Sequence, residues 1–183
     1  LSTPRRPGID GGKTATLAPE ELDDEFFMMR VRSDGGSLAN EQLRTIAGIS
    51  TEFGRDTADI SDRQNIQLHW IRIEDVPAIW DTLDAAALDT TEACGDSPRP
   101  FLGSPVAGVA KDDNIDGRRA HEEIKRRWIG DPDFSNLPRK FKTALTGHPG
   151  PDGAPEPNDV SFAGTVHPEL GPGFDLWGGG GLS

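Results

Sequence analysis

The chain has 183 residues, and its 31 acidic side chains against 19 basic ones give a formal net charge of -12. That sign repels nucleic acid and anionic membrane surfaces, so neither is an expected partner. Hydrophobic residues make up only 34% while Gly numbers 22 and Pro 15, which predicts a thin core with long turn-rich connections, as in a fold completed by further polypeptide.

Residues 1–16 are polar and patternless and read as an extended arm. The opening LSTPRRPGIDGG lacks a signal peptide's apolar core, and no window approaches the roughly 18 apolar residues of a membrane span. The expected location is the cytoplasm. From Phe26, FFMMRVRS alternates as a strand, with Phe27, Met29 and Val31 on one face and Met28, Arg30 and Arg32 on the other. Asp34-Gly35-Gly36 ends it. Leu43, Ile46, Ala47, Ile49 and Phe53 then recur at helical spacing, predicting an amphipathic helix over about 38–53.

NIQLHWIRI reads as a second strand, with Ile66, Leu68 and Trp70 alternating against Gln67, His69 and Ile71. A helix follows to about Ala86, with Asp75 as its expected cap, Pro77 in its first turn and Val76, Ile79, Trp80 and Leu83 as one stripe. Strand, helix, strand, helix predicts an α+β fold with helices on one face of a sheet. Beyond Leu88 come Gly- and Pro-rich turns, then a basic helix from about Asp116 to Ile129 with Ala120, Ile124 and Trp128 inward. KFKTALTG and VSFAGTV read as short strands around the linker HPGPDGAPEPND, ahead of DLWGGGGLS.

Chemistry concentrates in DRQNIQLHW, where Arg63, Gln64, Asn65, Gln67 and His69 crowd the mouth of the second strand. A guanidinium with several amides suits a polycarboxylated ligand, since Arg binds carboxylate bidentately. A loop bonding its own backbone explains the same residues. Arg30 and Arg32 project beside apolar neighbours, with solvent as the default explanation. Arg99 in EACGDSPRP and Lys140 and Lys142 in LPRKFKTAL are each ordinary alone. Together with Arg30 they form four cations from separate segments, a set able to bind a small oxyanion and supply protons. Cys94 is the only cysteine, so neither an intrachain disulfide nor an all-cysteine metal cage can form, and no metal ligands are expected in this chain.

ISTEFGRDTADISDRQNIQLHWIRIEDVPAIWDTL, together with EFFMMRVRSDGG, TTEACGDSPRPFLGSPVAG, DFSNLPRKFKTALTG, NDVSFAG and LWGGGGLS, resembles the siroheme-dependent nitrite and sulfite reductases. The likeness is strongest to the actinobacterial ferredoxin-dependent group. It implies a ferredoxin-like half-domain over 17–86, followed over 87–183 by the beginning of a siroheme and 4Fe-4S α+β domain. It assigns Arg30, Arg99, Lys140 and Lys142 to the substrate anion. Arg63, Gln64, Asn65, Gln67 and His69 go to the siroheme carboxylates and adjoining pocket, and the backbone of Gly179, Gly180 and Gly181 to the macrocycle.

The implied reaction is a six-electron reduction of sulfite or nitrite, fed by ferredoxin through a 4Fe-4S cluster whose four cysteines are expected in a further, carboxy-terminal half. Sulfite is favoured over nitrite, on EACGD with Cys94 near the expected pocket. Ser97 stands where close relatives often carry a second Cys, and Ser2 where some have Tyr, so a Tyr–Cys link is impossible here. A non-catalytic interaction module derived from such an enzyme is the alternative. A basic stretch between Gly117 and Lys142, including Arg126 and Arg127, is the candidate docking patch for acidic ferredoxin, with a solvated helix face as the plain alternative.

Overall fold

The structure, a computed structural model, describes residues 26–179. The 1–16 arm, Ser2, Gly180 and Gly181 lie outside the described residues. The chain divides into two compact units. The first holds the described residues through Arg32, Leu38–Ser61 and Asn65–Thr90, and the second holds Ser33–Ser37, Asp62–Gln64 and the chain from Thr91 onward.

The first unit contains strand β1 (Phe26–Val31), helix α1 (Asn40–Phe53), strand β2 (Ala58–Ile60), strand β3 (Ile66–Arg72) and helix α2 (Val76–Ala85). Its antiparallel sheet runs β1-β3-β2. Met29 and Val31 of β1 and Ile66, Leu68 and Ile71 of β3 meet Ile46 and Ile49 of α1 and Val76, Ile79 and Leu83 of α2 in one apolar cluster. Each fully buried Leu or Ile there contributes about 1.5–3 kcal/mol.

Two details of the strands differ from the alternation pattern. Between the pairs Phe27 with Ile71 and Met29 with Leu68, β3 carries one residue more than β1. This bulge, with Trp70 at φ 64, reverses the faces, so that Ile71 rather than Trp70 enters the core. Trp70 instead meets the Phe26 ring edge-on at 5.8 Å, and Arg55 lies 4.6 and 4.5 Å from the two ring centres. Solvent is also not the surrounding of Arg32, which is 2% exposed, or of the half-buried Arg30.

The expected Asp75 cap is not made. Ile73–Asp75 forms a 3-10 turn, and Asp75 itself has helical dihedrals (φ -83, ψ -14), whereas a capping side chain requires an extended residue. Leu43 and Trp80, placed on the apolar stripes by periodicity, are 54% and 49% exposed.

The second unit contains strand β4 (Leu102–Gly103), helix α3 (Arg118–Trp128), strand β5 (Thr143–Thr146), strand β6 (Val160–His167) and strand β7 (Gly171–Gly178). Its sheet runs β4-β5-β6-β7, with the first three strands parallel and β6 and β7 an antiparallel hairpin. The expected inward residues of α3, Ala120, Ile124 and Trp128, are only half-buried, and the helix buries His121 instead. The His121 ring lies beneath the Asp34–Gly36 turn, 3.7 Å from where a Cβ on Gly35 would stand. That turn is held by Gly35 N donating to Phe101 O (2.9 Å) and Phe101 N donating to Asp34 Oδ1 (2.8 Å). A Cβ on Gly103 would come within 2.7 Å of Gly35 Cα, so β4 needs glycine where it passes the turn.

Candidate functional site

The segment carrying Lys140 and Lys142 is a turn rather than the expected strand, because β5 begins only at Thr143. Phe141 N donates to Pro138 O at 3.1 Å, and Lys140 sits inside that turn at φ 64. Glycine or asparagine relaxes such a position, so a lysine there carries strain that surrounding structure must hold. The chain of Asp96–Arg99 runs alongside. Leu137 N donates to Asp96 O (2.8 Å), and Arg99 N donates to Phe141 O (3.1 Å).

That last bond sets the Arg99 backbone against the residue whose chain neighbours are Lys140 and Lys142. Three of the four expected cations therefore belong to adjoining segments of the second unit. Lys140 is exposed and Lys142 half-buried. The Arg99 guanidinium donates to Cys94 Sγ at 3.2 Å. Ser97, between them in sequence, is 8% exposed, and its hydroxyl has no hydrogen-bond partner among the described residues. Arg30 belongs to the first unit, where it stands opposite Gln67 across β1 and β3 and donates to Gln67 Oε1 at 3.3 Å.

The amide-rich cluster is divided and largely engaged inside the protein. Arg63 donates from Nε to Pro100 O (2.9 Å), from Nη1 to Asn158 Oδ1 (2.9 Å) and from Nη2 to Thr143 O (2.6 Å). Gln64, at φ 62, pairs its amide with the Gly103 backbone in both directions, at 2.9 and 3.0 Å. These contacts favour, for Arg63 and Gln64, the reading of a loop that satisfies protein groups. In the first unit Asn65 exchanges bonds with Ser61, its N donating to Ser61 Oγ (3.1 Å) and its carbonyl accepting from Ser61 N (2.8 Å). His69 Nε2 meets Asp59 Oδ2 at 2.7 Å.

Sequence reasoning missed Asn158 and Asp159, which close the Pro-rich linker ahead of β6. Asn158, 3% exposed, receives Arg63 and donates from Nδ2 to Ala154 O (2.8 Å). Asp159 Oδ2 accepts the Lys142 N–H at 2.7 Å, while Asp159 N and Val160 N donate to Lys142 O at 2.9 and 3.2 Å. The Asp159 carbonyl accepts from Gly179 N at 3.2 Å. An Asn-Asp pair before a strand is a signal for side-chain bonding to nearby backbone, though not for which backbone.

Residues 19–86 match the family profile described as the nitrite/sulfite reductase ferredoxin-like half domain, and residues 94–183 match the nitrite and sulphite reductase 4Fe-4S domain. The chain belongs to the nitrite and sulfite reductase family. A sulfite reductase [ferredoxin] of Mycobacterium tuberculosis is 58% identical over all of this chain and 33% of its own length. A ferredoxin–nitrite reductase of Leptolyngbya laminosa is 39% identical over 74% of the chain and 28% of its own. The solved structure of the Mycobacterium tuberculosis NirA protein superposes with a TM-score of 0.88 at 57% identity, over 99% of this chain and 33% of that one. The chain thus spans about a third of the length of these relatives.

The α+β architecture expected from the sequence agrees with both family profiles and with that superposition. Siroheme, the polycarboxylated group implied by the resemblance, fits part of the donor set. Gly179, at φ 89, has no described residue within 4 Å of where a Cβ would stand. Arg63 and Gln64 spend the bonds described above within the protein. The chain does not fit an iron–sulfur cluster by itself, because it has 1 Cys and no metal-holding group of three or more His, Cys, Asp or Glu exists among the described residues. Among those residues, too, no helix is long and apolar enough to cross a membrane.

Proposed function

We propose that this chain is part of a ferredoxin-dependent sulfite reductase, and that Arg99, Lys140 and Lys142, with Arg30, receive the sulfite anion beside siroheme. The observation that carries this reading is the Arg99 N to Phe141 O bond of 3.1 Å, which sets the arginine against the residue flanked by the two lysines. The strained Lys140 backbone adds support, since left-handed non-glycine residues concentrate where geometry is held for function. Sulfite is favoured over nitrite because the sulfite reductases are 55–58% identical over the whole chain, against 33–39% for the nitrite reductases.

When bound, siroheme supplies the redox chemistry of a six-electron reduction, with electrons from ferredoxin through a 4Fe-4S cluster. The work of this chain is electrostatic. The guanidinium of Arg99 and the ammonium groups of Lys140 and Lys142 offset substrate charge, and the lysines hold protons for oxygen that leaves as water. The backbone at Gly179 offers room for the macrocycle. The resemblance assigns Asn65, Gln67 and His69 to siroheme as well, and Arg63 and Gln64 hold the loop and strand that they fix.

In a protein of the relatives' length that carries this chain, Lys142→Ala and Arg99→Ala should each lower sulfite turnover by about 100-fold. Folding, read by thermal unfolding, should change little. Full activity in both variants overturns the site. The isolated 183-residue chain, reconstituted anaerobically, should hold no stoichiometric iron and acid-labile sulfide and should not reduce sulfite or nitrite with reduced ferredoxin. A bound cluster or turnover there would show that this chain is self-sufficient.

A further inference from the structure

We infer that Asp159 is the positioning residue of the anion site, holding the backbone of Lys142 and that of Gly179 in one arrangement. The inference rests on the reading of Lys142 as an anion-receiving group. Asp159 meets Lys142 twice. Its carboxylate Oδ2 accepts the Lys142 N–H at 2.7 Å, and its own N–H donates to the Lys142 carbonyl at 2.9 Å. Both hydrogen-bonding groups of the lysine backbone are thereby fixed. The Asp159 carbonyl reaches in the other direction and accepts from Gly179 N at 3.2 Å. One residue therefore ties the lysine turn to the start of the glycine run.

Lys142 stands where a turn passes into a strand. It follows a turn whose Lys140 has a left-handed backbone, and it precedes β5 by a single residue. A backbone shift of about 1 Å at such a place is enough to misplace a charged side chain and to cost a large fraction of turnover. A charged acceptor on the Lys142 amide opposes that shift more strongly than a neutral one. The Lys142 Nζ donates to Pro157 O at 3.3 Å, two residues before Asp159, so the same linker meets both ends of the lysine. Asn158, alongside, holds Arg63, which divides the labour of the Asn-Asp pair between two cations.

The test has a structural arm and a kinetic arm. In the 183-residue chain, the Lys142 amide hydrogen should be protected from exchange with solvent. Asp159→Ala should speed hydrogen exchange at Lys142 by tenfold or more, while Asp159→Asn, which keeps an acceptor oxygen, retains most of the protection. An unprotected Lys142 amide in the unaltered chain, or rapid exchange in the Asn variant, overturns the inference even if the Ala variant does not fold.

In a protein of the relatives' length that carries this chain, Asp159→Ala should lower kcat/KM for sulfite by tenfold or more, Asp159→Asn should stay within about threefold of the wild type, and Asp159→Ala added to Lys142→Ala should cost nothing further. Additive losses, or an Asp159→Ala enzyme with unaltered kinetics while Lys142→Ala is impaired, overturn the positioning role alone. A Lys142→Ala enzyme with unaltered kinetics overturns the anion site and this inference with it.

Discussion

The first unit closes over Met29, Val31, Ile66, Leu68, Ile71, Ile79 and Leu83, while the second buries Ser97, Ser104, His121, Thr143, Thr146, Asn158 and Ser161 alongside few apolar side chains, Ala93, Phe101, Ala144 and Leu145 among them. The one is held chiefly by removing apolar surface from water; in the other, directed bonds such as Ser104 and Thr146 to Asp152 and Arg63 to Asn158 stand beside buried Ser97 and Thr143 hydroxyls that find no partner among the described residues. A hydrophobic cluster tolerates small shifts, because its attraction has no direction. A bonded network does not, because each buried donor or acceptor left without a partner costs about 1–3 kcal/mol. The unit with the polar interior carries Arg99, Lys140 and Lys142, groups whose chemistry depends on position.

The contrast predicts different failures. Leu68→Ala, at a side chain 0% exposed, should destabilise the first unit by about 3–4 kcal/mol, through lost burial and the cavity left behind. Urea unfolding followed by hydrogen exchange reads this, with faster exchange across β1 and β3. A loss below about 1 kcal/mol would mean that the apolar cluster does not dominate that unit.

Arg63→Ala is the corresponding break in the second unit. It removes the donor of three bonds and leaves Pro100 O, Thr143 O and Asn158 Oδ1 to find others, at an expected cost of about 2–3 kcal/mol. Arg63→Lys should recover little, because an ammonium cannot span three acceptors set for a planar fork. Exchange of the β5 and β6 amides is the measurement. Stability unchanged in Arg63→Ala would leave the guanidinium available to a ligand's carboxylates and restore its assignment to siroheme.

These two residues also show how far the sequence could be read. Leu68 lies in an alternating run, and Ile46, Ile49, Ile79 and Leu83 recur at helical spacing, so β1, α1, β3 and α2 of the first unit were legible from periodicity. The bulge at Trp70 was not, since an extra residue in one strand leaves no mark on composition. In the second unit β4 has two residues and β7, GPGFDLWG, alternates weakly, so neither was expected. The cations were identifiable by type and by family resemblance. What organises them lies in pairings such as Asp159 with Lys142 and Arg63 with Asn158, 17 and 95 residues apart, beyond the reach of any local pattern.

His121 sharpens the comparison through pH. Burial pushes its imidazole below the ordinary value of 6.5, against the opposing hydrogen bond to Leu145 O and the nearby Asp34 charge. Asp34 is itself within 3.7 Å of Lys125. The folded state therefore keeps His121 neutral where the unfolded chain would protonate it. Its contribution is fully present above pH 6.5 and is lost as pH falls from there toward the lowered folded value. His121→Gln should flatten that part of the stability profile relative to wild type. Parallel profiles would mean that the imidazole is protonated in the fold.

The smallest effect on stability is expected on α3, where charge is exposed. Arg126 and Arg127 both pair with Glu123, at 2.8 and 2.5 Å, and those bonds hold the Glu123 carboxyl at about 2, so it stays ionised throughout the range in which proteins are handled. One carboxylate cannot neutralise two guanidiniums, and Lys125, Arg118 and Arg119 lie on the same helix. Exposed pairs of this kind contribute little to folding, so Arg126→Glu with Arg127→Glu should leave the unfolding midpoint within about 2 °C of wild type. Their effect should instead appear in association. In a protein of the relatives' length that carries this chain, if ferredoxin is the donor as proposed, the double reversal should raise the KM for reduced ferredoxin several-fold and flatten its dependence on salt, because an acidic partner is drawn to a local basic patch even on a protein of net charge -12. Activity with a small uncharged reductant should not change. Equal loss with both donors would place the fault in the active site, and unaltered ferredoxin kinetics would make α3 a solvated face whose arginines serve only solubility.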